Sequence, residues 1–230
     1  MNTEIIQMNE NTWRIEDGGV RFFLLAGTQR ALLIDSGMTV RNAREIAESL
    51  TPLPLSLLNT HADRDHIGSN AQFETFYMHP LEEENYRRGG GAGTLIPIEE
   101  GDTLELGDRP LRIVHLPGHT PGSVAVLDVR NRVLISGDPI QTNGRIYMFG
   151  AHRDLMRYVQ SLERLQAHVG EFDAIWPSHA DLPVAPDCIG KLIEGARTIL
   201  SGEAIGTPTE LHGQSIVEYD LGFTTLLCDR

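Results

Sequence analysis

Residues 59–70 read NTHADRDHIGSN. Within positions 61–66, His61, Asp63, Asp65 and His66 supply two imidazoles and two carboxylates. All four are metal-ligand types, and imidazole mixed with carboxylate suits divalent zinc, iron or manganese. Neither a strand nor a helix can aim four such side chains in one direction. A loop running from a strand into a helix can aim alternate members at two neighbouring metal positions, which is a dinuclear arrangement. Asp63, between two histidines, reads either as a ligand or as a gap.

Outward from this stretch, other chemistry-bearing residues share its context. The apolar run LSLLNT leads straight into His61, and ALLID ends on Asp35. His119 lies in LPGHTPGS, Asp138 closes ISGD and His179 closes PSH. Loops at strand ends are where a rigid scaffold presents functional groups. The chain has nine histidines. His61, His66, His119 and His179 have this placement, whereas His115 reads as packing near a sheet edge. His79, His168 and His212 read as surface residues. His152 follows the loop after Asp138 and is a candidate substrate contact. Tyr147, in GRIYMFG, is another: its phenol either donates to a developing oxyanion or fills the loop's own core beside Met148 and Phe149.

Apolar periodicity gives a coarse map. VRFFLLAG and ALLIDSG read as a hairpin. Helices are expected over Thr39–Leu50, Leu81–Arg88, Arg153–Val169 and Pro186–Leu200, with a short one starting near Ile67–Gly68. SVAVLDV with RVLISGD reads as a further hairpin, and SIVEYD and FTTLLCD as the last strands. Two strand-rich halves, about 1–108 and 109–230, share an outline of hairpin, helix, and strand delivering a histidine to a loop. No linker-like composition separates them, so residues 1–230 read as one domain of two related halves.

Composition narrows the function classes. A chain of 230 residues can bury a large core without disulfides, and the two cysteines, Cys188 and Cys228, read as free buried thiols. The formal net charge of −13 repels nucleic-acid phosphates and argues against DNA or RNA as partner. MNTEIIQMNENTWRIEDGG lacks the basic start and apolar run of a signal peptide, and no stretch approaches the ~20 apolar residues of a membrane span. A cytoplasmic protein with a small-molecule substrate is expected.

THADRDHIGS resembles the T-H-x-H-x-D-H-x-G motif of the metallo-β-lactamase-fold hydrolases, and LLIDSG, LPGHTPGS, ISGD and PSH match that family's further motifs in order. The matches run from about residue 20 to 180. The resemblance implies an α/β fold, an αββα four-layer sandwich of two packed mixed sheets with helices on both outer faces. It implies two divalent ions, zinc first, with iron or manganese behind it. One ion would bind His61, His119 and position 63, the other Asp65, His66 and His179, with Asp138 bridging. Asp35 would orient the first motif's loop without ligating, or else serve as a strand-end turn cap. Tyr147 falls in the region from which lactonases of this family use a tyrosine.

The departure is Asp63, where most of the family has histidine. Three readings stand: Asp63 ligates through its shorter side chain; it falls short and the protein works with one metal at Asp65, His66 and His179; or the site is degenerate. A carboxylate here tilts the position toward iron or manganese, and the flavodiiron branch, with a glutamate at the equivalent position, is similar in that respect. PGHTPGS is shared by the glyoxalase-II-like and lactonase-like branches. After His179 only Lys191, Arg197 and Arg230 are cationic, fewer than glyoxalase II uses for the glutathione carboxylates. The reading is a hydrolase in which a metal-bound hydroxide, oriented by Asp65, attacks an ester, lactone or thioester. An iron-dependent redox enzyme and a non-catalytic metal- or ligand-binding module are the alternatives.

Overall fold

The computed structural model describes residues 3–230. The chain divides into two compact units, Met1–Val114 with Val126–Asn131, and His115–Ala125 with Arg132–Arg230.

The first unit holds a seven-stranded sheet in sequential order: β1 (Glu4–Asn9), β2 (Thr12–Asp17), β3 (Val20–Ala26), β4 (Ala31–Ile34), β5 (Leu55–Leu58), β6 (Thr75–Met78) and β7 (Thr94–Pro97). The first four strands pair antiparallel and the last four parallel. β3 and β4 are buried at every position, which is why VRFFLLA and ALLI show no polar alternation. Helix α1 (Ala43–Leu50) makes the β4–β5 crossover and buries Ala43 and Ala47. It starts four residues later than periodicity suggests, and in the segment before it the Asp17 carboxylate accepts from the backbone N–H groups of Met38, Thr39 and Val40. Against the opposing effect of burial, the Thr39 hydroxyl and these backbone N–H groups hold Asp17 below the usual carboxylate range. After β6, a 3-10 turn (Pro80–Glu82) leads into α2 (Glu83–Arg88). β8 (Thr103–Glu105) and β9 (Pro110–His115) form an antiparallel hairpin.

Arg109, beside that hairpin, is 1% exposed. Its guanidinium donates to Asp128 Oδ2 at 2.9 and 2.6 Å, to the carbonyls of Asn11 and Ala26 at 2.9 Å each, and to Thr12 Oγ1 at 2.7 Å. A cation buried this deeply is tolerable only with such saturation.

β10 (Val124–Asp128) contributes its first two residues to the second unit and its last three to the first. The second unit contains β11 (Val133–Gly137), β12 (Arg145–Met148), β13 (Ala174–Pro177), β14 (Thr207–Leu211), β15 (Gln214–Asp220) and β16 (Thr225–Asp229). β11 and β13 pair in parallel. β12, β16, β15 and β14, in that order, make a four-stranded sheet. Helices α3 (Leu155–Gln166) and α4 (Cys188–Ser201) pack together, with Arg197 donating to Glu163 at 2.7 Å. Cys188 and Cys228 are free and buried, and burial pushes both thiols up to about 12. No helix among the described residues is long and apolar enough to cross a membrane.

Periodicity locates all four helices within a few residues. It misses β1, β2, β7, β12 and β14, each a short or mixed-polarity strand whose pairing comes from a neighbour rather than from its own pattern. The expected helix near Ile67–Gly68 is a single 3-10 turn at Asn70–Gln72. His79 corrects its surface reading: it is 8% exposed, and its Nδ1 accepts from Leu81 N–H at 3.2 Å.

Candidate metal centre

In the first unit the donors follow the carboxyl ends of the parallel pair β4–β5. β4 ends on Asp35, which is 1% exposed and takes the left-handed backbone conformation, φ 65°. Its Oδ1 accepts from Thr60 N–H at 2.7 Å. Its Oδ2 accepts from the Thr60 hydroxyl and from His66 Nδ1, both at 2.8 Å. His61 Nδ1 lies 3.0 Å from Thr60 Oγ1.

These contacts fix where the protons are. Ionised Asp35 only accepts, so His66 carries its proton on Nδ1. Thr60 gives its one hydrogen to Asp35, so it accepts from His61 Nδ1–H. In its neutral form each imidazole then presents a lone pair on Nε2, the state a metal requires. One carboxylate orients both rings, whose centroids lie 4.0 Å apart. The loop is pinned further. His66 O accepts from Ser36 N–H at 2.9 Å and Asn59 Nδ2 at 3.0 Å. Ala62 N–H donates to Glu82, a wholly buried carboxylate, at 2.9 Å.

His61 Nε2 lies 3.5 Å from Asp63 Oδ2, and His66 Nε2 lies 3.7 Å from Asp65 Oδ2. Both carboxylates are partly open to solvent, at 24% and 29%. Two donors sharing one zinc at about 2.0–2.2 Å in tetrahedral geometry lie about 3.3–3.6 Å apart. The Asp63 carboxylate thus turns toward His61 Nε2, and its shorter side chain does not carry it out of range.

In the second unit, His119 is 1% exposed, and its Nδ1 donates to the Tyr147 carbonyl at 2.9 Å, which again leaves Nε2 as the lone pair. Its loop is seated on α3: Gly118 has φ +134°, and a Cβ there would meet Tyr158 Cα at 2.4 Å. Asp138 follows β11, and His179 follows β13. Asp138 directs Oδ2 at His119 Nε2, 3.6 Å away, and Oδ1 at His179 Nε2, 3.2 Å away. One carboxylate therefore faces two imidazoles through two different oxygens, the geometry of a bridging ligand.

The other sequence candidates are placed as follows. The Tyr147 ring lies 5.4 Å from the Phe149 ring and 6.5 Å from that of His212. Its carbonyl, rather than its phenol, is what reaches a candidate ligand. His152 is exposed, at φ 75°. His115 Nε2 pairs with the Pro121 carbonyl at 2.9 Å, as a structural histidine does. Sequence reasoning passed over Thr60 and Glu82. Thr60 had a signal, a hydroxyl between the β5 end and His61, whereas Glu82 is hidden in the acidic run Glu82–Glu84.

The donor set fits a divalent ion. The pattern of the metallo-β-lactamase superfamily matches residues 15–172. The chain belongs to the metallo-β-lactamase superfamily. It has the metallo-β-lactamase fold, of the α/β class that the sequence implies. A metallo-β-lactamase from Pontibacter korlensis superposes with a TM-score of 0.72 at 16% identity, covering 85% of this chain and 99% of that one. An acyl-coenzyme A thioesterase of Gallus gallus is 26% identical over 200 residues, 70% of this chain and 72% of the relative. A hydroxyacylglutathione hydrolase of Gloeobacter violaceus is 32% identical over 141 residues, 60% of this chain and 55% of the relative. These relatives are hydrolases, and the chain is an enzyme of this hydrolase superfamily.

Within this superfamily member, Asp35→Asn is expected to weaken metal affinity about 10–100-fold, the usual cost of losing a carboxylate behind a ligand histidine. The amide keeps one acceptor oxygen but cannot accept from Thr60 N–H, the Thr60 hydroxyl and His66 Nδ1 together. Competition against a chromophoric chelator measures the effect, and unchanged affinity would remove Asp35 from the site's support.

Proposed function

We propose that the chain is a metal-dependent hydrolase of acyl thioesters working with two divalent ions, zinc in the first instance. By the superfamily's pattern, His61, Asp63 and His119 would hold one ion and Asp65, His66 and His179 the other, with Asp138 shared between them. The observation that carries this is Asp138, whose two oxygens address two imidazoles within one unit. Superfamily membership supports joining the two donor sets into one centre. Bound there, two such ions would supply Lewis acidity and lower the pKa of a water toward about 7.

The chain's own residues prepare the site. Asp35, directly and through Thr60, holds His66 and His61 with Nε2 open. The Tyr147 carbonyl does the same for His119. Asp65, partly solvent-exposed, is placed to orient a nucleophilic water and take its proton. The thioester assignment follows the relatives, whose names both describe release of an acyl group from a thiol carrier. Esters and lactones share the acyl centre and belong to the same test. Asp63 favours a second reading for the metal: a harder donor beside His61 suits iron or manganese.

Metal analysis of the purified protein, followed by thioester, lactone, β-lactam and phosphodiester substrates on the metal-loaded enzyme, tests the proposal. Two zinc ions and a preference for thioesters are expected. Absence of thioester turnover in fully loaded protein would defeat it. Asp63→His is expected to tighten zinc at that position about tenfold, because zinc gains an imidazole for a carboxylate. The same stoichiometry and affinity in that variant would show that Asp63 does not ligate.

A further inference from the structure

Beside the His119 loop, wholly within the second unit, lies a cavity of about 350 Å3 lined by Gly118, Pro121, His152, Arg153, Asp154 and Arg157. Its volume is at the small end of the roughly 300–1,000 Å3 typical of ligand clefts. Its wall is built rather than draped. Asp154 N–H donates to the Gly118 carbonyl at 2.8 Å, tying the cavity to the residue next to His119. Gly150 N–H donates to Asp229 Oδ1 at 3.0 Å, and His152 is held at φ 75°. Ser161 Oγ donates to the Pro117 carbonyl at 2.8 Å, fastening the same loop to α3 from below.

The charge of this lining runs against the rest of the chain. The lining residues carry two guanidiniums and an imidazole against a single carboxylate, in a protein of net charge −13. Asp154 is already engaged, since its Oδ1 caps α3 by accepting from Arg157 N–H at 2.9 Å. The Arg157–Asp154 ion pair is long, 3.8 Å, with the Arg157 side chain 59% exposed. Such a pair is weak, and its guanidinium can turn to another oxyanion at little cost. An acidic protein repels an anionic substrate at long range, so a local cationic pocket is needed to hold one. Guanidinium forks pair with phosphate and carboxylate alike. Two forks match the higher charge of a phosphate monoester better than that of a carboxylate.

We propose that this cavity is a subsite for a phosphate group carried on the thiol half of the substrate. The assignment of that group to a substrate rests on the thioesterase reading; its binding does not. The test therefore separates the two. Isothermal titration of the metal-loaded enzyme uses adenosine 3′,5′-bisphosphate as an unreactive probe and glutathione as the carboxylate control. Wild type is expected to bind the bisphosphate in a salt-sensitive manner. R153Q/R157Q should bind it at least about tenfold more weakly with an unchanged melting temperature. No binding by wild type, equal binding by the variant, or a loss confined to glutathione would overturn the phosphate subsite. In turnover, the kcat/KM preference for an acyl-coenzyme A over the matching acyl-pantetheine should fall about tenfold in the same variant; an unchanged preference would likewise overturn it. If titration gives the expected pattern while no thioester is cleaved, the phosphate subsite stands and the thioesterase reading fails.

Discussion

Asp138→Ala is expected to lower kcat/KM about a thousandfold and to reduce the bound metal from two ions toward one. Its two oxygens lie 3.6 Å from His119 Nε2 and 3.2 Å from His179 Nε2, so one truncation takes a donor from both proposed positions. Metal Lewis acidity contributes several kcal/mol to transition-state charge stabilisation, and about 4 kcal/mol corresponds to about three orders of magnitude. Asp138→Asn separates charge from shape: it keeps one oxygen donor, occupies nearly the same volume and should fall between wild type and alanine. Mass-spectrometric metal counting and steady-state kinetics on the same samples give both readouts. Two tightly held ions with activity within tenfold of wild type would remove Asp138 from the centre.

The second large effect is on stability. Arg109→Met should destabilise the fold by about 3–5 kcal/mol, because it strands the Asp128 carboxylate, 2% exposed, without its partner cation. The carbonyls of Asn11 and Ala26 and the Thr12 hydroxyl lose donors as well. For a chain of this size the melting temperature should drop by roughly 10 °C. Adding Asp128→Leu should recover part of the loss, since two apolar groups cost less than one stranded charge. A double variant no more stable than the single one would place the cost in packing rather than in the buried charge. Urea unfolding of the two variants decides between these outcomes.

What the sequence revealed and what it hid have physical reasons. The candidate metal donors were legible because their side-chain types are rare together and because each follows an apolar strand. Strand-end position is a one-dimensional property. Asp35 could be placed, but its reach could not: its two oxygens meet residues 25 and 31 positions away, and only folding shows that Thr60 passes its influence to His61. Tyr147 shows the same limit from the other side. Attention fell on its phenol, whereas its backbone carbonyl, invisible to residue type, holds His119. Glu82 looked like one more surface acid in an acidic run, yet it is fully buried beneath the metal loop. Arg109 carries no motif at all.

The Thr60 hydroxyl makes the two imidazoles separately addressable. His66 meets Asp35 directly at 2.8 Å, whereas His61 is wired to the same carboxylate through a single borrowed hydrogen. Serine at position 60 preserves that wiring. Valine, nearly identical in shape, cuts it for His61 alone and frees that ring to exchange its tautomer while His66 keeps its own. Nitrogen-15 spectra of the two imidazoles in Thr60→Val would register one ring changing without the other. A chain built this way can retune one proposed metal position while leaving its neighbour unchanged.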